Sequence, residues 1–138
     1  DTLFAMVADH GQVYTPRISN YELRNHPELT RHFAIQPTGE ARLPYLFLRP
    51  GREQAVRDYL EQVWAGQFAI LPGEQVLQAG LLGSGNVYAR TYDRLGDCVV
   101  MPQGNAYWWF PDRDNPLLGR HGGLSPAEML VPLFMLTV

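Results

Sequence analysis

Asp9 and His10 stand side by side in Val7-Ala8-Asp9-His10-Gly11, directly after an apolar run that starts at Leu3. A carboxylate oxygen and an imidazole nitrogen are both good ligands for zinc or a similar divalent ion. Gly11 lets the backbone turn sharply, so both side chains can converge. The same three residues also suit a solvated turn, and spacing alone leaves both readings open. A second group lies far downstream in Gly119-Arg120-His121-Gly122-Gly123-Leu124-Ser125-Pro126-Ala127-Glu128-Met129. His121 adjoins two glycines that permit close approach to an ion or phosphate, with a plain turn as the alternative. Arg42 and Thr38, at the turn signal Pro37-Thr38-Gly39-Glu40, have the chemistry to meet phosphate or substrate. The competing reading for both is a solvated face. His26 and His32 border a polar helix and are expected at the surface. The glycines between 80 and 85 lack the Lys-Ser/Thr of a phosphate loop. Cys98 reads as a buried small hydrophobe rather than a nucleophile.

These residues need elements to position them. Leu3–Ala8 and Leu130–Val138 are continuous apolar runs, which read as strands buried on both faces of a parallel sheet. In open sheets, ligands bind just beyond the carboxyl ends of such strands, where Asp9 and His10 fall. Between the two runs, Pro27–Phe33 reads as a short helix with proline at its first position. Leu43–Leu48 reads as a strand. Arg52–Trp64 is the best helix, with an apolar stripe of Val56, Tyr59, Leu60 and Val63 closed by Gly66. Phe68–Leu71 is a strand, Glu74–Ala79 a helix, and Val87–Leu95 is ambiguous. Cys98–Met101 and Ala106–Phe110 read as strands of a hairpin across Pro102-Gln103-Gly104-Asn105. There Trp108 and Trp109 alternate, one ring packing inward and the other free to form a substrate wall. Ser125-Pro126-Ala127-Glu128 has the form of a capping box. The pattern is α/β, an α+β lobe between two core strands.

The chain has 138 residues, 46% hydrophobic and 18% charged, which suits one folded unit and excludes a disordered or coiled-coil chain. The net charge of −3 gives no basic footprint for nucleic acid. No apolar run approaches the roughly 18 residues of a membrane span. The single cysteine excludes an intrachain disulfide, and a cytoplasmic location is the expectation. Asp1 leads straight into an apolar run, so a piece of a larger protein is expected, with tag or propeptide processing as the alternative.

Together, Ala-Asp-His-Gly at a strand end and His-Gly-Gly-Leu-Ser-Pro-Ala-Glu-Met-Leu-Val-Pro-Leu from His121 onward resemble the C-terminal part of the alkaline phosphatase superfamily. The nearest branch is the type I phosphodiesterase/nucleotide pyrophosphatase group, and PglZ-domain proteins come next. The matching motifs cover residues 3–11 and 119–134. The resemblance implies that residues 1–13 and 118–138 belong to the metallohydrolase core and that 14–117 is an inserted lobe, the whole forming one compact unit. It also implies two divalent ions, zinc as the expected identity, around a Thr or Ser nucleophile. Asp9 and His10 would then ligate the ion beside the nucleophile, and His121 the second. A phosphate ester or nucleotide would be the substrate, with oligomeric state left open.

The chain departs from that pattern at one point. The family's nucleophile, its neighbouring Asp and its Asp-x-x-x-His pair lie upstream of the Asp-His motif, where this chain has only eight residues. No catalytic nucleophile is therefore expected in the chain. The isolated chain is expected to be inactive and to bind metal weakly or not at all. A non-catalytic binding or oligomerisation module that keeps the superfamily fold, as in PglZ-like proteins, is the alternative.

Overall fold

A computed structural model describes all 138 residues. In chain order the elements are β1 (Leu3–Val7), β2 (Val13–Tyr14), α1 (Pro27–Thr30), β3 (Thr38–Glu40), β4 (Leu43–Leu46), α2 (Glu53–Trp64), β5 (Phe68–Pro72), α3 (Gly73–Gln78), α4 (Thr91–Leu95), β6 (Cys98–Pro102), β7 (Gly119–Arg120), α5 (Pro126–Met129) and β8 (Leu133–Thr137). Two single 3-10 turns precede α1, at Ser19–Tyr21 and Leu23–Asn25. No helix is long and apolar enough to cross a membrane.

The centre is a four-stranded antiparallel sheet in the order β3-β4-β6-β5. Side chains alternate along a strand, so its central strand divides its residues between two layers. Cys98 and Val100 of β6 face a core built with Leu46, Phe68 and the α2 stripe of Val56, Leu60 and Trp64. Val99 faces the other way, toward Leu43, Val76 of α3 and Leu95 of α4. The stripe at i, i+4 and i+8 is what seats α2 on the sheet. Gly66, at φ 69°, turns the chain after it.

The chain ends form two further ladders. β1 pairs with β8 antiparallel, from Leu3 opposite Thr137 to Val7 opposite Leu133. β2 pairs with β7, Val13 opposite Arg120 and Tyr14 opposite Gly119. The expectation of terminal strands buried in a parallel sheet is thus corrected. They bond to each other in antiparallel register, and every residue of both is exposed, because no element of this chain packs on either face.

The expected hairpin from Cys98 to Phe110 does not form. Both edges of β6 are already taken by β4 and β5. Trp108 therefore donates its N–H to the Ala41 carbonyl (2.9 Å) and Trp109 to the Tyr21 carbonyl (2.8 Å). Both indoles are buried, rather than one in and one out. The residues expected at the surface near α1 are also corrected: His26 is 6% and His32 is 8% exposed. His26 packs against Trp64 with ring centroids 4.4 Å apart. Its Nδ1 meets the Tyr59 hydroxyl and its Nε2 the Asn20 carbonyl, both at 2.8 Å. It is a fully bonded interior histidine.

Candidate metal-ligand site

The two terminal ladders bring distant residues together. β1 delivers Asp9 and His10 into the bend before β2, and β7 delivers His121 one residue after Arg120. The His10 and His121 rings lie face to face, centroids 3.6 Å apart and planes 15° from parallel. Gly11 is required at this join. Its N–H donates to the Glu128 carbonyl (2.8 Å), and a Cβ there would fall onto the Ala127 carbonyl. Gly122, at φ 96°, takes the chain away from His121 in a conformation that other residues rarely adopt.

The donor atoms have a defined arrangement. His10 Nδ1 is 2.7 Å from the Gly11 carbonyl oxygen. A carbonyl only accepts, so Nδ1 carries the hydrogen and Nε2 keeps its lone pair. Such a carbonyl partner is typical behind a metal-binding histidine. Nε2 lies 3.7 Å from Asp9 Oδ1. Two donors at that spacing can both stand about 2.0–2.2 Å from one ion. Imidazole lone pairs lie in the ring plane, so the stacked rings of His10 and His121 address two separate points. No three His, Cys, Asp or Glu side chains converge on a single one. Asp9 Oδ1 and His10 Nε2 are thus spaced as two donors to one ion would be, and no third side chain joins them.

Arg42 does something other than meet substrate or solvent. It is 1% exposed and forms a two-pronged pair with Glu128, Nε to Oε1 at 3.0 Å and Nη2 to Oε2 at 2.7 Å. Its Nη1 donates to the carbonyls of Gly104 (2.8 Å) and Ala106 (2.6 Å). Glu128 also accepts from the Gly123 N–H (2.9 Å) and the Ser125 hydroxyl (2.5 Å). Burial pushes the Glu128 carboxyl up, but the bonds from Arg42, Ser125 and Gly123 outweigh it and hold the group at about 2. The expected capping box is thus replaced. Ser125 caps no backbone N–H of α5, and Glu128 serves the loop that carries His121 instead. Thr38 is exposed on the edge strand β3.

Arg120 is a residue that sequence reasoning passed over. It is 3% exposed, lies 3.7 Å above the Tyr107 ring, and donates to Thr15 Oγ1, Asn115 Oδ1 and the Leu117 carbonyl. It thereby ties β2 and the 115–117 segment to the strand that ends at His121. Beside His121 opens a cavity of about 230 Å³, walled by Glu40, Trp109, Phe110, Arg113 and Leu117 among others. A larger one, about 380 Å³ between Leu23, Phe33 and Phe110, includes neither His10 nor His121.

No family model and no curated protein sequence matches the chain. Solved structures do. Murine ectonucleotide pyrophosphatase/phosphodiesterase 5 superposes over 96% of this chain at TM-score 0.61 and 17% identity. The human protein of that name gives 0.62 and 14% over the same share. Phosphonoacetate hydrolase from Sinorhizobium meliloti 1021, in complex with phosphonoformate, gives 0.63 and 19%, again over 96%. All are alkaline phosphatase superfamily proteins. The fold is alkaline phosphatase-like. The chain spans about a third of these structures' length, 33% of the two pyrophosphatase chains and 35% of the hydrolase. In this alkaline phosphatase-like fold the four-stranded lobe is α/β in content and lies between the two strands that carry the candidate ligands.

Proposed function

We propose that the chain is the C-terminal part of a metal-dependent phosphohydrolase of the phosphodiesterase/nucleotide pyrophosphatase type, with its Thr or Ser nucleophile upstream. The observation that carries this reading is the stacked pair of His10 and His121 with Asp9 Oδ1 beside His10 Nε2. Asp9 and His10 would hold one divalent ion and His121 a second. Bound ions in such a site neutralise phosphoryl charge and lower the pKa of the attacking hydroxyl. The chain's own contribution is placement. Gly11 fixes the His10 tautomer through its carbonyl, and Arg42 and Glu128 hold the Gly123 end of the His121 loop.

Residues 1–13 and 118–138 would then be core and 14–117 an inserted lobe near the site mouth. The cavity beside His121 supports a role for the lobe in selecting a phosphate ester or nucleotide. A murine relative in fold has been solved with AMP bound. The two-faced apolar ribbon of β1 and β8 supports the view that further layers of the same protein cover it. A single buried cysteine suits the cytoplasm.

The test is hydrolysis of a diester and a monoester by the full-length protein. The expected result is metal-dependent turnover that His121→Ala reduces by at least about 100-fold. The isolated chain is expected to show none, and to bind zinc only weakly, with that binding lost in His10→Ala. Saturable metal-dependent hydrolysis by the isolated chain would overturn the upstream nucleophile. An inactive full-length protein with intact folding would favour a non-catalytic module of PglZ-like character instead.

A further inference from the structure

We propose that Arg31, His32, Arg49 and Arg52 form a binding site for a phosphate group carried by a small molecule. These four residues, and no others, line an open cavity of about 360 Å³. Its lining shares no residue with the cavity beside His121. Three of the chain's eleven cationic residues therefore crowd one spot on a protein whose net charge is −3.

Like charges held together cost free energy unless something compensates them. Within the chain, little does. Arg31 pairs with Glu28 at 2.7 Å, while Arg49 and Arg52 form no ion pair. Arg49 spends only its Nε, on the Arg31 carbonyl (3.1 Å). That bond orients the side chain and leaves both terminal nitrogens free. The neighbouring acids are engaged elsewhere. Glu53 is held by Arg57 at 2.7 Å, and Asp97 accepts the Leu48 N–H at 2.6 Å.

His32 provides an independent observation. The residue is 8% exposed, close to the 6% of His26, yet neither ring nitrogen has a hydrogen-bond partner in the chain, whereas both of His26 do. The His32 nitrogens are not sealed in the interior, where only Trp64, Trp108 and Arg120 carry buried side-chain nitrogens without a partner, so its ring donors remain open to a ligand. The ring faces the cavity between the arginines. Arg52 is also the N-terminal flanking residue of α2, a 12-residue helix with no side-chain cap. Planar guanidinium forks and an N–H-donating imidazole match the oxygens of a phosphate dianion.

The site couples binding to a proton. Burial lowers the His32 pKa, and the charges of Arg31 and Arg52 lower it further, with Glu28 opposing. The free ring is therefore neutral near neutral pH. A bound dianion offsets those charges and favours the imidazolium, so affinity rises as pH falls.

Inorganic pyrophosphate, titrated into the chain at fixed ionic strength, tests the proposal. Saturable binding is expected, with shifts of the His32 ring resonances in NMR. Arg49→Gln/Arg52→Gln should weaken it at least about tenfold, while Arg17→Gln/Arg90→Gln, which removes two charges elsewhere, should change it less than about twofold. Equal losses in both variants would mean that only overall charge matters and would overturn the site, as would unmoved His32 resonances. Sulfate, whose charge is constant here, isolates the proton. Its affinity should be about fivefold higher at about pH 5 than at about pH 7.5, and flat in His32→Asn. A flat profile in the parent chain would overturn the role of His32. Circular dichroism confirms folding of each variant.

Discussion

β6 and β1 are nearly interchangeable as sequences. Cys-Val-Val-Met-Pro and Leu-Phe-Ala-Met-Val are both five-residue apolar runs. In the lobe, β6 has a strand on each side and a packed layer on each face, and Cys98, Val99 and Val100 are fully buried. In the terminal ribbon, β1 has one neighbour and no layer, and Leu3, Phe4, Met6 and Val7 are 53–61% exposed. An apolar run thus records what a strand needs on its faces. Whether the need is met depends on elements far away in sequence. The lobe meets it from within, through α2 on one side and α3 and α4 on the other.

If the lobe is self-sufficient, cutting its core should be severe. Trp64 touches the rings of Phe68 and Trp108 at 5.2 and 5.8 Å between centroids. Trp64→Ala should cost about 3–5 kcal/mol in denaturant unfolding. Trp64→Phe should cost clearly less, because the buried indole N–H has no partner to lose. Equal costs would mean the site is held by the N–H after all.

Glu128→Gln tests the join between lobe and terminal strands. It leaves the Arg42 guanidinium buried without its counter-charge, at a cost of about 3–5 kcal/mol. Arg42→Met/Glu128→Leu removes both charges and should recover part of that. The Gly123 N–H and the Gly104 and Ala106 carbonyls would remain orphaned, so recovery stays incomplete. The sign of the pH dependence follows from the same carboxyl. Its folded pKa of about 2 lies below the ordinary 4.5. The stabilisation is present above about 4.5 and is lost as pH falls toward 2. It amounts to on the order of 3 kcal/mol. Acid unfolding of Glu128→Gln should be flatter over that window.

The comparison also shows where reading the sequence worked. α2 starts one residue later than its pattern indicated, and β5, α3 and β6 lie within a residue of expectation. Those elements are specified by local periodicity and by breakers such as Gly66. The place of Asp9 and His10 just past a strand end is legible in the apolar run before them, whereas the short strand β7 before His121 carries no such signal. The stacking of His10 on His121 was not legible either, since it depends on the β2–β7 ladder, two residues long on each side. Arg42 and Glu128 were misread for the same reason. Eighty-six residues separate the partners, and neither neighbourhood carries a signal of the other. His32 sits in a polar stretch that looks solvated, and only the fold shows that it is buried.

The smallest effect is expected at the ribbon, and it is the sharpest test of the contrast. Val100→Thr and Leu136→Thr each place a hydroxyl in an apolar strand. At Val100 the hydroxyl is buried with both faces packed, and a cost of about 1–3 kcal/mol is expected. Leu136 pairs with Phe4 and is 59% exposed, so the change there should stay within about 0.5 kcal/mol. Amide hydrogen exchange gives the same contrast without mutation. β6 should exchange at the rate of global unfolding, and β1 and β8 far faster, because a lone two-stranded ladder is marginal in water. If Leu136→Thr proved as costly as Val100→Thr, the ribbon would already be covered in solution, and a second copy of the chain would be the first thing to look for by sedimentation. If the proposal that further layers of a longer protein cover the ribbon holds, the two substitutions should converge in that protein.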